Sequence, residues 1–360
     1  MTLSDIVTRV TRKNKNNESR LPLTISAQYG LVDQISFFNK VVASADMSNY
    51  YLLKEGEFAY NKSYSSEYPW GAIKRLDRYP QGALSSLYIC FGINDNVDSD
   101  FLVHYFESSK WHREVSNVAG EGARNHGLLN IAVGDFFNTA HCIPATSKEQ
   151  QKIAALLNLI TERIATQIKI IEDLKKLKSA IRTKVFKQLE SSCECWIEIG
   201  NMLQYEQPSK YLVASTEYSD SYATPVLTAN KAFILGYTDE EFGIYSKGEC
   251  VIFDDFTMDV KFVNFPFKVK SSAIKILAAN SGNDLYFVYE YLQNLGLVSE
   301  EQKRHYISEI EPMMVACPTF EEQQNISNLL RSFDSKIECA NRELTLYNKQ
   351  KQYLLSQMFI

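Results

Sequence analysis

Residues 144–186 and 318–359 of this chain repeat one pattern. Each copy opens on a proline and then Glu-Gln-Gln (Glu149-Gln150-Gln151 and Glu322-Gln323-Gln324). Each continues as a long amphipathic stretch and closes on Phe. From the glutamines to that Phe the copies run without a gap, 173 residues apart. A period this long belongs to a duplicated module plus helix, not to a solenoid of short units.

Two interleaved seven-residue series run through each copy. In the first they are Ile153, Ile160, Gln167, Leu174, Ile181 and Leu157, Ile164, Ile171, Lys178, Val185, of which eight of ten are apolar. In the second they are Ile326, Phe333, Ala340, Tyr347, Leu354 and Leu330, Ile337, Leu344, Lys351, Met358. Both copies carry Lys at the same place in the second series. A seam kept through five heptads signals a coiled coil; a helix burying one face alone is the plainer rival. Thr146 or Ser147 ahead of Glu149, and Thr319 ahead of Glu322, form capping boxes that start the helices. The first helix delivers the chain from one module to the next. The second must therefore run back along it, antiparallel, giving a dumbbell with an approximate twofold axis.

At 360 residues the chain exceeds one ordinary core, and 45% hydrophobic residues suit packed domains. The modules read as α+β, with short strands near residues 21–26, 84–91, 251–254, 260–269 and 274–278. A further strand precedes each proline, at 138–143 and 313–317. Ser99-Asp100-Phe101-Leu102 opens a helix running to Trp111, and Asn283-Asp284-Leu285-Tyr286 opens another running to Leu295. Leu3-Ser4-Asp5-Ile6 parallels Ile199-Gly200-Asn201-Met202. The expected division is 1–143 for module one, 144–190 for its helix, 191–317 for module two and 318–360 for the second helix.

Seven cysteines are scattered, and no apolar run reaches membrane length. The expectation is a reduced, soluble, cytoplasmic protein without metal or cofactor. The net charge is −5. Residues 191–317 alone sum to about −9 and 148–187 to about +6, so a nucleic-acid surface in module two must gather its few cations on one side.

The arrangement resembles the specificity subunit of a type I restriction–modification enzyme. The residues carrying the resemblance are Pro144, Glu149-Gln150-Gln151-Lys152-Ile153 and the helix to Phe186, with their copy from Pro318. Tyr222-Ala223-Thr224-Pro225-Val226-Leu227-Thr228-Ala229-Asn230-Lys231 and Leu235-Gly236-Tyr237-Thr238 support them. The resemblance implies two target-recognition domains, each reading one half of a split site in double-stranded DNA. It implies antiparallel helices that act as ruler and dock for two methyltransferase subunits, a motor-nuclease subunit joining later, and no catalysis by the chain itself. Independently, two half-sites need a separation near one turn of DNA, roughly 34–36 Å or a multiple. A rigid coil holds such a distance.

Base edges are read by Arg or Lys at guanine and Asn or Gln at adenine. In module one the candidates are Lys62, Ser63 and Tyr64 in a turn-like segment, Lys74 and Arg75 after Trp70-Gly71, and Arg124 and Asn125 at a glycine-flanked tip. Arg12, Lys13 and Lys15, interleaved with asparagines, suit phosphates. In module two they are Asn230, Lys231 and Thr257. A solvated loop is the plain alternative for each.

No nucleotide-binding G-x-x-x-x-G-K-[ST] occurs, and the histidines do not fall at metal spacing. Asn264-Phe265-Pro266-Phe267 is similar to the Asn-Pro-Pro motif of adenine methyltransferases but lacks its first proline, so a strand is the better reading. The rival functions are a coiled-coil scaffold that assembles proteins without reading DNA, favoured by the acidic module, and an enzyme with an unrecognised site.

Overall fold

A computed structural model describes residues 1–124, 127–228, 232–299 and 303–359, with the backbone alone at 121–124. The chain forms two compact units, Met1–Ile168 with Arg342–Ile360, and Lys169–Asn341. Each long helix gives one half to each unit.

In the first unit, helix α1 (Leu3–Ile6) leads into strands β1 (Val7–Arg9), β2 (Pro22–Ser26) and β3 (Gly30–Asp33), then α2 (Gln34–Phe38). Strands β4 (Tyr51–Lys54), β5 (Phe58–Asn61), β6 (Ala72–Arg75), β7 (Gln81–Leu84) and β8 (Ile89–Ile93) follow. Next come α3 (Ser99–Glu107), α4 (His112–Val118), the hairpin β9 (Gly120–Arg124) and β10 (Leu128–Asn130), and α5 (Val133–Phe137). One sheet has the order β1-β8-β5-β6 and the other β3-β2-β7-β4. Alternation along β5 builds two cores from one strand. Phe58 and Tyr60 face α3, α4 and α5, whereas Ala59 faces the second sheet with Val10, Leu23, Leu53 and Leu84.

Helix α6 (Ser147–Ser192) leads to the second unit: β11 (Trp196–Glu198), α7 (Ile199–Met202), β12 (Leu203–Glu206), β13 (Thr224–Leu227) and β14 (Ile234–Thr238). Then follow β15 (Cys250–Asp254), β16 (Val260–Val263), β17 (Lys268–Val269), β18 (Ile274–Ala279), α8 (Leu285–Asn294), β19 (Met314–Ala316) and α9 (Phe320–Met358). The sheet order is β12-β18-β15-β16, beside β14-β13-β17 and the pair β11-β19. Alternation again divides the core: Val251 and Phe253 face α8, and Cys250 and Ile252 face the opposite side.

Several expected elements are shorter. The strand expected at 84–91 is interrupted at residues 85–88, where β7 turns into β8. The strand expected at 260–269 stops at Val263 and resumes at Lys268, because Pro266 has no N–H to give a ladder. The stretch 138–143 holds only the bridge from Ala140 to Thr2. The helix expected to reach Trp111 ends at Glu107, where the Ser108 hydroxyl turns back onto the Tyr105 carbonyl at 2.6 Å.

Helices α6 and α9 have 46 and 39 residues. Their pairing is head to tail in each unit. In the first, Ala154 and Leu157 near the start of α6 pack with Leu355 and Phe359 at the end of α9. In the second, Ile181 and Phe186 late in α6 pack with Ile326 and Leu330 early in α9. None of the twenty positions of the two seven-residue series is exposed; Ile160, Gln167, Ile171, Phe333 and Ala340 are buried, and Leu157 and Leu330 are fully buried. Among the described residues no helix is long and apolar enough to cross a membrane.

Candidate nucleic-acid interface

In the first unit the backbone after β5 brings two candidate segments together. The Leu129 N–H donates to the Lys62 carbonyl at 2.9 Å, and the Tyr64 N–H to the Gly127 carbonyl at 3.1 Å. Ser63 bridges Leu128. Lys62, Ser63 and Tyr64 therefore run beside the β9–β10 hairpin, whose strand β9 ends on Arg124; Asn125 lies outside the described residues. Tyr64, Trp70, Ser116 and Asn130 line a cavity of about 280 Å³ against this edge. Gly71 holds the approach at φ 78°, where an added side chain would collide with the Asn61 carbonyl.

A second convergence involves a residue the sequence reading missed. Arg9, at the end of β1, lines a small cavity of about 60 Å³ with Lys62, Tyr51, Ser86 and Tyr88. Among the described residues no carboxylate lines it, and Lys62 Nζ donates to the Ile131 carbonyl at 3.4 Å. Lys13 lies alongside, its Nζ 4.3 Å from the Tyr51 ring centroid and donating to the Asn49 carbonyl at 2.8 Å. Burial pushes the neighbouring Cys90 thiol up to about 12, despite the nearby charges of Arg9 and Lys13. Arg9, Lys13 and Lys62 thus form one cationic corner beside tyrosines, an arrangement suited to a phosphate backbone.

Other candidates face carboxylates of the scaffold. The Arg12 guanidinium meets both Glu57 oxygens at 2.7 Å. Lys74 points to Glu107 at 3.7 Å, and burial lowers its ammonium below the usual lysine range. Arg75 bonds Asp77 at 2.6 Å and Asp100 and Ser99 at 2.7 Å, which joins β6 to α3. Lys15 is exposed on a short 3-10 turn. Its neighbour Asn14 is buried and exchanges hydrogen bonds with the Ser19 backbone, so the asparagine run is partly structural.

In the second unit Asn230 and Lys231 lie outside the described residues, between the paired strands β13 and β14. Thr257 occupies a tight turn in which Asp254 Oδ1 accepts from the Phe256 and Thr257 N–H groups at 2.7 and 2.8 Å. The adjacent Asp255 is buried. It accepts from the His305 and Tyr306 N–H groups at 3.0 and 2.9 Å and faces Lys275 Nζ at 3.3 Å. Part of this module's negative charge is therefore internal. Among the described residues, no group of three or more His, Cys, Asp or Glu is placed to hold a metal.

The two long helices hold α3 and α8 by matching devices. Gln150 donates to the Pro144 carbonyl at 2.9 Å and accepts from the Asp98 N–H at 2.8 Å. Gln323 donates to the Pro318 carbonyl at 3.1 Å and accepts from the Asp284 N–H at 2.9 Å. Asp98 and Asp284 are the N-caps of α3 and α8. Lys351 meets Glu107 of α3 at 2.9 Å, and Lys178 meets the fully buried Glu290 of α8 at 2.6 Å. Burial would raise the Glu107 carboxyl, but the His104 hydrogen bond and the Lys351 and Lys74 charges hold it at about 2.

No protein-family model matches the chain. Over 176 residues it is 40% identical to the specificity subunit of the Type I restriction enzyme EcoR124I/EcoR124II from Escherichia coli. That match takes in 45% of this chain and 44% of that protein, so the chain spans under half the length of this curated relative. In fold it is similar to the Type-I restriction-modification system S subunit from M. genitalium, over 100% of this chain and 95% of that one, with a TM-score of 0.61 at 16% identity. A chain from a structure addressing complex assembly and conformational transition of the type I R-M system covers 99% of this chain and 96% of its own, with a TM-score of 0.58 at 13% identity. The resemblance to type I specificity subunits is thus carried by sequence over about half the chain and by fold over all of it.

Proposed function

We propose that this chain is the non-catalytic DNA-reading subunit of a type I restriction–modification enzyme, working in the cytoplasm. Each module reads one half of a bipartite site in double-stranded DNA. The paired helices set the distance between half-sites and dock two methyltransferase subunits, to which motor-nuclease subunits are added. The observation that carries this reading is the doubled layout: two modules with one central strand order, each followed by its copy of the same long helix. A bipartite reader needs two similar sensors on a stiff spacer; a simple assembly scaffold does not need duplicated sensors.

The cationic corner of Arg9, Lys13 and Lys62 supplies phosphate contacts in module one, and Arg124 and Asn125 contribute base contacts. In module two Asn230 and Lys231, which follow β13 in the sequence, and the turn at Thr257 take that role. Leu159, Leu177 and Leu346 lie outside the seam, at 63%, 50% and 62% exposure, and suit the docking of partner subunits.

The test is co-expression with the cognate methyltransferase, followed by mapping of methylated adenines across the host genome. A two-part recognition site is the expected result. Exchange of residues 191–317 for another second module should change one half of that site and leave the other. A complex that methylates without any two-part site, or a site unaltered by the exchange, overturns the reading.

A further inference from the structure

We infer that Lys178 and Lys351 are positioning residues that fix the angle of each recognition module on the coil, and thereby decide which half-site spacings the protein accepts. The inference rests on the function proposed above.

Both lysines stand in an otherwise largely apolar seam, at the same place in the two copies of the helix. Neither is needed there for coil stability, because an aliphatic residue would pack the seam without burying charge. Both turn instead to the helix of the neighbouring module. Lys178 Nζ lies 2.6 Å from Glu290 Oε1 and 2.6 Å from Asp334 Oδ1, and donates to the Tyr286 hydroxyl at 3.1 Å. Arg182 reaches the other Glu290 oxygen at 3.3 Å. The Tyr286 hydroxyl donates to Asp334 of α9, closing a ring that joins α6, α8 and α9. In the first unit Lys351 meets Glu107 at 2.9 Å, with Lys74 of β6 and His104 of α3 around the same carboxylate.

Helices α3 and α8 are therefore each held from both rods, at the N-cap and farther along. Helix α3 is pinned at its N-cap by Gln150 of α6 and farther along by Lys351 of α9. Helix α8 is pinned at its N-cap by Gln323 of α9 and farther along by Lys178 of α6. One attachment leaves a helix able to swing; two on different rods set its direction. Glu290 reinforces this, since a buried carboxylate is tolerated only where its cation reaches it, so other angles of α8 are penalised. Buried ion pairs act in this way as register devices, at some cost in stability.

The experiment uses the full chain with its methyltransferase. Duplexes carry the two half-sites at the natural spacing or with one base pair added or removed, and methylation of each is measured. Two paired variants keep the sites filled without leaving an orphaned carboxylate: Lys351→Met with Glu107→Gln, and Lys178→Met with Glu290→Gln. Both should read the same half-site letters but discriminate roughly tenfold less between spacings, the order of penalty a strained or mismatched site imposes. Lys351→Arg and Lys178→Arg, which keep the charge, should retain the natural preference. Unaltered spacing preference in both paired variants overturns the positioning role, while an unaltered complex that methylates no two-part duplex overturns the functional reading beneath it.

Discussion

The two modules share a scaffold and differ in how they place charge. Strand register aligns them residue by residue. Arg9 lies opposite Phe91, itself opposite Phe58, and Tyr205 lies opposite Leu277, itself opposite Val251. Following those registers, Lys62 takes the place of Asp255, Ile89 that of Lys275, and Arg9 that of Tyr205. Module one thus turns two cations onto a small cavity. Module two fills the equivalent place with a closed Lys275–Asp255 pair, its side chains 4% and 1% exposed. The same strand order thus holds different residues at equivalent places, in the core and at the rim. The strongly negative sum of module two does not translate directly into a negative outer surface.

The largest expected effect tests the equivalence of the two halves. Leu157 and Leu330 occupy the same place in the repeat and are both fully buried. Leu157→Asp and Leu330→Asp should each destabilise by at least about 4 kcal/mol, from lost packing plus an unpaired buried charge. Urea unfolding followed by circular dichroism checks this; a variant that melts like the parent breaks the equivalence. The next effect tests the difference. Asp255→Ala leaves Lys275 buried and unpaired and should cost about 3–5 kcal/mol. Lys62→Ala, at the aligned position, should stay within about 0.5 kcal/mol. Equal losses would mean that Lys62 belongs to the core after all.

Acid should also separate the modules. Tyr105 and Tyr291 sit seven residues after the N-caps of their helices, but their partners differ. Tyr105 pairs with the buried His141, whose second nitrogen meets Thr139 at 2.7 Å, whereas Tyr291 accepts from the Ala316 N–H and donates to Glu190. Burial, helped by the nearby N-terminal charge, lowers His141 to about 4. The folded state thus favours neutral imidazole, and the unfolded chain binds the extra proton. Stability from this group is complete above about pH 6.5 and is lost as pH falls from there to about 4, by up to roughly 3 kcal/mol. Hydrogen exchange corrected for intrinsic rates should show β8, α3 and α5 opening before β15, β18 and α8. Uniform opening, or no change in His141→Gln, would remove the histidine as the cause.

What could be read from sequence follows from how local each signal is. The long helices, their caps and their seam rest on periods of a few residues, and the match of α1 to α7 rests on four. Gln150 and Gln323 were visible as repeats, but their hold on Asp98 and Asp284 joins distant segments. Arg9 was missed because only the pairing of β1 with β8 brings it beside Lys62. The ion pairs of Lys74 and Arg75 were not legible, because their carboxylates, Glu107 and Asp100, come from a helix later in the chain. The two seam lysines were visible, and their glutamate partners were not.

Binding should follow the charge difference. For any duplex, the affinity of the complete methyltransferase complex should fall as salt rises, and Arg9→Ala or Lys62→Ala should each reduce the slope of log affinity against log salt by about 1. Tyr205→Ala at the aligned place in module two should leave the slope unchanged. Equal slopes for all three would remove the phosphate role of the corner.

The smallest effect distinguishes the two helix starts. At α9 the Glu322 carboxylate accepts from both the Thr319 N–H and its hydroxyl, at 2.9 and 2.7 Å, and the Glu322 N–H approaches the Thr319 hydroxyl. At α6 the Glu149 carboxylate meets the Thr146 hydroxyl at 3.0 Å, while the Glu149 N–H approaches that hydroxyl at 3.3 Å. The backbone half of the reciprocal box thus belongs to α9, and Glu322→Ala, which removes both bonds to Thr319, should destabilise more than Glu149→Ala. Hydrogen bonds from Thr319 hold the Glu322 carboxyl below its ordinary range. Its contribution is therefore present above about pH 4.5 and fades as pH falls below that value. The gap between the two variants should close over the same interval in urea melts; a gap that persists in acid removes the Glu322 carboxylate as its cause.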